Sequence, residues 1–504
     1  MSRPAEVRRW HVLGVVCAAL LVVVIDATVL HVAAPAISED LEPSSVQLLW
    51  IVDVYPLVVA PLLVGFAKLA DKVGRPQVML TGCGIFAAAS LIAAFAPSAT
   101  VLILGRALMG IGGAMIMPQT MSIIRDVFPD RQERTRAVGI WVSVSSAGAA
   151  IGPIVGGFLV EHFWWGSVFL LNIPILLAII VATLRWVPAS RAENPAPLDP
   201  LSVVLVTAGI LGLAFGGKHG ARHGFADPVA LTGIVGGAAL LAVFVRRQLR
   251  ADVPLLDVRL FAQRAFGVAV GCIVLAMVAL IGLDFFFAQY LQLVLGLSPL
   301  EASVRLIPLA AATVVGGLIA APILARVGTR AAIAGGLALS GASLVPLLSL
   351  GLDDEWLVLS LSFVVLGLAI QVAAVAANDV IISAVEPDRA GDASAIEETA
   401  YELGGGLGVA LLGSVVAAVY RDALDPVTGV TAQGMAGARE SLSEAKEIAA
   451  ELPATVGTAL VDASRVAFLD GLHLAIAISL GLMVVATAVA AAVLQHRAPA
   501  AAEH

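Results

Sequence analysis

The chain has 504 residues, of which 60% are hydrophobic and 13% charged, and its mean hydropathy is +0.98. Soluble domains carry about 25% charged residues, so this composition excludes a water-soluble enzyme or binding module and indicates an all-α polytopic membrane protein. The net charge of −8 identifies no partner and gives no reason to expect nucleic acid, because charges divided between two sides of a membrane do not make one field. Cys17, Cys83 and Cys272 sit in apolar runs without CxxC spacing, which argues against disulfides and thiolate metal sites.

Arg3, Arg8 and Arg9 ahead of an apolar run imitate a signal peptide. The run contains Asp26 and many more spans follow it, so it reads as a retained first helix. Fourteen apolar stretches meet the length needed to cross a bilayer. The first six cover about 11–35, 47–69, 77–96, 99–120, 137–160 and 167–187. Two follow at about 200–217 and 228–245. The last six cover about 265–288, 303–325, 331–350, 356–384, 391–420 and 467–494. An even count puts both termini on one side.

Lysine and arginine set the orientation. One set of loops and ends holds most of the 29 basic residues, including Arg9, Lys68, Lys72, Arg75, Arg134, Arg136, Arg246, Arg247, Arg326, Arg330, Arg389 and Arg497. The opposite set has Lys218, Arg222, Arg305, Arg421, Arg439, Lys446 and Arg465, and Arg106 alone is read as lying within a span. The termini are therefore expected in the cytoplasm. A faint repeat supports a two-part plan. Ala70-Asp71-Lys72-Val73-Gly74-Arg75 closes the second span, and Leu324-Ala325-Arg326-Val327-Gly328-Thr329-Arg330 closes the tenth. This organisation predicts a six-helix bundle over 1–190, an inserted helix pair over 191–250, and a second six-helix bundle over 251–504 with an external loop at 421–466. Glu440, Glu444, Glu447 and Glu451 recur at helical spacing in that loop and read as a short, exposed helix ending at Pro453.

The fifth span contains Gly148-Ala149-Ala150-Ile151-Gly152-Pro153-Ile154-Val155-Gly156-Gly157. Glycines at every fourth position form a smooth stripe that a neighbouring helix can approach closely, and Pro153 removes a backbone hydrogen bond within it.

Each ionisable group within a span costs roughly 2.5–3.5 kcal/mol on insertion scales and is a functional candidate by default. Asp26 lies in span one, Asp53 in span two, Arg106 in span four, Asp284 near the outer end of span nine, and Glu397, Glu398 and Glu402 in span thirteen. Asp379 reads as interfacial or structural. A carboxylate able to hold either H+ or a cationic passenger is what a proton-coupled carrier requires. Trp50, Tyr55, Trp141 and the run Phe285-Phe286-Phe287 offer aromatic faces to a lipophilic cation. No ATP motif is present: Gly212-Leu213-Ala214-Phe215-Gly216-Gly217-Lys218 imitates GxxxxGK, but His219 replaces the Mg2+-binding Ser or Thr. The energy source is then the proton gradient, worth about 2.3 kcal/mol per charge per 100 mV besides the pH difference.

Together these residues resemble the fourteen-helix drug:proton antiporters of the major facilitator superfamily, and most of all the quaternary-ammonium exporters. The stripe resembles the antiporter signature GxxxGPxxGG. Leu49-Trp50-Ile51-Val52-Asp53-Val54-Tyr55 resembles the family's span-two motif, and Asp26-Ala27-Thr28 its span-one motif. Arg106 with Gly110 resembles its RxxxG element, and Ala395 through Gly404 its acidic span-thirteen segment. Asp71, Gly74 and Arg75 match the loop motif GxLADRxGRK, where Ala67 and Pro76 depart from it. The resemblance implies a major facilitator fold and a gating role for that loop. It assigns Asp26, Asp53, Arg106, Glu397, Glu398 and Glu402 to proton coupling and substrate binding, with Asp284 added from the residues themselves. It also implies a bacterial cytoplasmic-membrane protein that is not an enzyme, uses no cofactor or metal, works as a monomer, and exchanges protons for lipophilic cations. Two alternatives stay open: a narrow exporter of an endogenous metabolite or self-made antibiotic, and a non-transporting sensor or scaffold.

Overall fold

An apolar run inside a bilayer must satisfy its backbone hydrogen bonds internally, and a helix is the simplest way to do so. In the computed structural model, which describes residues 3–191, 197–224, 226–385 and 390–494, nearly every apolar run is helical. Arg389 and Arg497 of the basic set lie outside the described residues, as do the side chains of Arg3, Arg8, Arg131, Arg222 and residues 390–395. The helices are α1 (Arg3–Leu41), α2 (Ser45–Val73), α3 (Arg75–Ala94), α4 (Ala99–Val127) and α5 (Arg131–His162), then α6 (Ser167–Leu170) with α7 (Asn172–Trp186) as one broken span. There follow α8 (Pro200–His223), α9 (Pro228–Arg250), α10 (Arg264–Gln289), α11 (Pro299–Val327), α12 (Thr329–Leu344), α13 (Trp356–Ser383) and α14 (Ala390–Ala423). The chain ends with α15 (Ala432–Ala438), α16 (Leu442–Ala450) and α17 (Ala454–Val493). Among the described residues, fourteen helices are long and apolar enough to cross a membrane.

Local chemistry sets the boundaries. Ser44 with Gln47 and Ser298 with Glu301 form capping boxes at the starts of α2 and α11, while Asp199 and Asp227 cap α8 and α9 ahead of Pro200 and Pro228. Gly74 and Gly328 end α2 and α11 with φ of 127° and 80°. Each donates its N–H back to the carbonyl four residues earlier, Ala70 and Leu324. The sequence repeat is therefore also a repeat of backbone geometry, at positions where a Cβ would be strained.

α1 packs on α4, α5 and α7, and α2 on α4. α10 packs on α13, α14 and α17, and α11 on α13. The two groups meet along α2–α14, α5–α11 and α1–α10. α8 and α9 form a close hairpin, in which a Cβ at Gly233 would lie 2.7 Å from the Gly216 Cα, and α8 rests on both α2 and α14. At the end distal to the termini the α5–α11 seam is tight. Ser303 donates to the Pro153 carbonyl at 2.7 Å, and the Leu300 N–H donates to Glu161 at 3.1 Å.

Two expectations need correction. The acidic loop helix is not a solvated face: α16 packs on α17 and α1, burying Leu442, Ala445 and Ala449. Its acids Glu444 and Glu447, with Glu440 just ahead of the helix, are themselves half-buried, and Glu451 at its end is exposed. Burial lifts the Glu444 carboxyl above the ordinary glutamate range, with Glu440 adding repulsion, and burial next to Glu42 does the same for Glu447. The last span also begins earlier than expected, at Ala454.

Candidate functional site

The glycine stripe fixes where α1 runs. Gly148 faces Leu21 and Val24, Gly152 faces Thr28, and Gly156 faces Val29, while Gly157 turns to Pro299 and Ser303 of α11. A Cβ on Gly152 would fall 2.0 Å from the Thr28 hydroxyl oxygen. Only glycine permits this approach, and it carries Asp26 into the bundle interior beside α4.

There Arg106 Nη1 donates to Asp26 Oδ2 at 2.5 Å, and Arg106 Nε donates to the Ile51 carbonyl at 3.3 Å. Asn172 donates to the other Asp26 oxygen at 2.9 Å and to Ser90 at 3.4 Å. The Arg106 guanidinium lies 4.6 Å from the centroid of the Tyr55 ring. Arg106 and Asp26 side chains are 1% and 0% exposed, so neither is solvated; the pair holds because each charge has an opposite charge and further hydrogen bonds. The Tyr55 hydroxyl fits against Gly113, where a Cβ would lie 2.7 Å from it.

This network forms one wall of a central chamber of about 380 Å³, a volume suited to a drug-sized molecule. Its polar lining includes His31, Tyr55, Arg106, Asp284, Gln371, Tyr401 and Glu402, so α1, α2, α4, α10, α13 and α14 all contribute. A larger, shallow groove of about 630 Å³ lies between α1 and α7, lined by Trp10, His11 and Trp186 among apolar side chains; it contains none of the span carboxylates.

Of the seven expected ionic residues, Arg106, Asp284 and Glu402 line the chamber and Asp26 stands behind Arg106. Glu397 and Glu398 are half-buried on α14 outside the chamber wall. Asp53 is turned away from it. Its Oδ1 accepts from Lys218 Nζ of α8 at 2.6 Å, the two side chains are 0% and 1% exposed, and the ammonium sits 3.8 Å from the Trp50 ring centroid. Lys218 is therefore not an external-loop cation; it belongs to the seventh span, which runs from Pro200 to Gly220. Asp284 is not near a span end either, because the ninth span continues to Val294. Gln292 is accommodated within that span by donating to the Val32 and Ala288 carbonyls at 3.1 and 3.4 Å.

Of the aromatic candidates only Tyr55 reaches the chamber. Trp50 covers Lys218, Trp141 donates to Thr120 at 3.0 Å between α5 and α4, and Phe286 packs against Phe285 with Gln289 and Tyr420 nearby in a separate small pocket. Asp379 is exposed at the end of α13. At the termini end, Arg75 joins Asp71 (3.1 Å), Asp126 and the Ser122 carbonyl (3.4 Å), tying the α2–α3 turn to α4. Sequence reasoning missed two residues here, His31 and Lys218. Both carried the signal used for the acids, an ionisable side chain inside an apolar run. No group of three or more His, Cys, Asp or Glu suited to a metal ion occurs among the described residues.

Comparison with known proteins agrees with this architecture. Residues 16–409 match the family model of the Major Facilitator Superfamily. The chain is 42% identical to the multidrug efflux pump LfrA of Mycolicibacterium smegmatis, over 96% of this chain and 95% of that one. It is 39% identical to the methyl viologen resistance protein SmvA of Salmonella typhimurium, over 92% and 93%. It is 32% identical to the tetracenomycin C resistance and export protein of Streptomyces glaucescens, over 96% and 91%. Its fold is that of a bacterial homologue of the human lysosomal transporter Spinster, solved in an inward-facing, unoccupied conformation, with a TM-score of 0.64, 20% identity, and 99% and 100% of the two chains covered. A multi-pass chain with this fold, matched to efflux transporters along nearly its whole length, belongs to the Major Facilitator Superfamily.

Proposed function

We propose that this chain is a proton-coupled antiporter of the bacterial cytoplasmic membrane that exports lipophilic cations by alternating access. Its termini would lie in the cytoplasm, and it would act as a monomer. The observation that carries the reading is the charge of the central chamber. Asp284 and Glu402 line it, while the positive charge of Arg106 is already committed to Asp26. Carboxylates in the lining, Asp284 beside His31 and Glu402, suit a cation or a proton, and the Tyr401 ring suits a delocalised one. The tight α5–α11 seam at the distal end is the contact that would part when the chamber opens outward. Asp71, Gly74 and Arg75 would govern the opposite gate. The names of LfrA, a multidrug efflux pump, and SmvA, a methyl viologen resistance protein, support export of foreign small molecules.

The 32% identical tetracenomycin C exporter supports a second, narrower reading, export of a single antibiotic. One transport experiment separates them. Proteoliposomes with an acidic interior should accumulate tetraphenylphosphonium and several unrelated cations, and a protonophore should abolish the uptake. Uptake of a single neutral or anionic compound, with no cation moved, would favour the narrow exporter. No pH-driven uptake of any compound would refute both.

A further inference from the structure

Within the chamber, among the described residues, one contact between two ionisable side chains joins the two helix groups. His31 Nδ1 lies 2.8 Å from Asp284 Oδ2, bringing α1 to α10, and the two side chains are 6% and 20% exposed. The His31 ring is also held edge-on by Phe285 at 5.8 Å. Beside this contact Gln292 of α10 donates to the Val32 carbonyl of α1 at 3.1 Å. Both partners of the ionisable contact line the chamber. Asp284 thus has one oxygen bound to an imidazole and faces the space a passenger would enter.

We infer that Asp284 is the chamber's seat for the positive group of a passenger, and that His31 is a resident occupant of that seat, engaged when protonated and yielding when it loses its proton. This deepens the export reading and rests on it for the identity of the passenger. Imidazole is the side chain that most readily exchanges a proton in the physiological range. As imidazolium it makes an ion pair with Asp284 in a low-dielectric site, excluding a second cation and holding α1 to α10. As neutral imidazole it leaves the carboxylate charge to be met by the passenger, and the cross-helix contact weakens. A proton and a passenger then exclude one another at a single position, which is the condition for exchange.

Other charges around His31 do not duplicate this arrangement among the described residues. α4 offers Arg106, which is bound to Asp26 of α1 itself. α2 offers Tyr55 to the chamber while its Asp53 is bound to Lys218, and α14 offers Tyr401 and Glu402. α5 and α11 line the chamber with no charged side chain, and α7 contributes Asn172 to the Asp26 cluster. α16 meets α1 farther along, where Glu447 lies near Glu39 and Glu42. Glu402 is the one other chamber carboxylate, and its response to pH would persist whatever stands at position 31.

The test measures binding of tetraphenylphosphonium to purified full-length protein at pH 5.5 and 8.5. Asp284→Asn should weaken binding about tenfold at pH 8.5. His31→Arg, a permanent cation, should be about tenfold weaker than wild type at pH 8.5 and should gain nothing from the higher pH through this site. His31→Gln should match wild type at pH 8.5 and bind more tightly than wild type at pH 5.5. Equal binding by all four proteins at both pH values would overturn the inference while leaving cation export standing. Spin labels at Glu39→Cys, in the last turn of α1, and Leu297→Cys, just past the span that α10 begins, supply a readout independent of any passenger. Their distance distribution should shift toward separation as pH rises, and His31→Gln should abolish the shift. If no cation binds to wild type yet this shift appears, the export reading fails and the proton-operated contact stands. A distribution insensitive to pH in both proteins would refute the contact's role.

Discussion

Lys218→Met would leave the Asp53 carboxylate buried without its counter-ion, since the two side chains are 1% and 0% exposed and joined at 2.6 Å. Removing one partner of such a pair costs about 3–5 kcal/mol, because the remaining charge can neither be solvated nor paired. Loss of the ammonium from the Trp50 face adds about 0.5–2 kcal/mol. Replacing both partners should cost far less, because a neutral pair carries no uncompensated charge. Asp53→Asn with Lys218→Met is therefore expected to recover most of the loss. Cys17, Cys83 and Cys272 are all buried and free, so a thiol-reactive fluorescent dye reports unfolding in detergent without added labels. Lys218→Met should unfold several degrees below wild type, with the double variant between them. Equal unfolding temperatures for wild type and Lys218→Met, or a double variant less stable than Lys218→Met, would refute the reasoning.

Three further outcomes follow from local geometry. Gly152→Ala, whose Cβ would meet the Thr28 hydroxyl oxygen at 2.0 Å, should cost about 1–3 kcal/mol as overpacking and suppress transport; Gly84→Ala, with nothing within 4 Å, should leave melting temperature and transport near wild type. Gly74→Ala, at φ 127°, should destabilise the α2–α3 turn by about 1–2 kcal/mol, seen as faster proteolysis of that turn in detergent. Asp199 is held down to about 2, from an ordinary 3.8, chiefly by hydrogen bonds from Arg247. A lowered carboxyl gives stability that is present above pH 3.8 and lost as pH falls toward 2. The melting difference between wild type and Asp199→Asn should accordingly be constant over pH 5–8 and shrink below pH 4.

The spans were legible because roughly twenty apolar residues in a row have few stable alternatives in a bilayer. The pairing of charges was not, because partners 80 to 253 positions apart, such as Asp26 with Arg106 and His31 with Asp284, are brought together only by helix packing. Asp53 illustrates the limit: its residue type signalled a functional acid, but only the docking of α8 on α2 reveals which cation it holds. His31 and Lys218 were visible as ionisable residues among apolar neighbours and were passed over, the lysine because it lies close to the end of its run. The α16 acids misled for the converse reason, since helical spacing of charge identifies a polar face without showing that the helix is packed so closely that Glu444 and Glu447 are half-buried.

The most direct test of the account is the number of protons displaced when a lipophilic cation binds. Purified protein in weakly buffered detergent solution containing a pH-indicator dye should release at least one proton for each tetraphenylphosphonium bound near neutral pH. Asp284→Asn and Glu402→Gln should each reduce that release. Saturating cation binding with no change in proton content would contradict exchange at the chamber carboxylates.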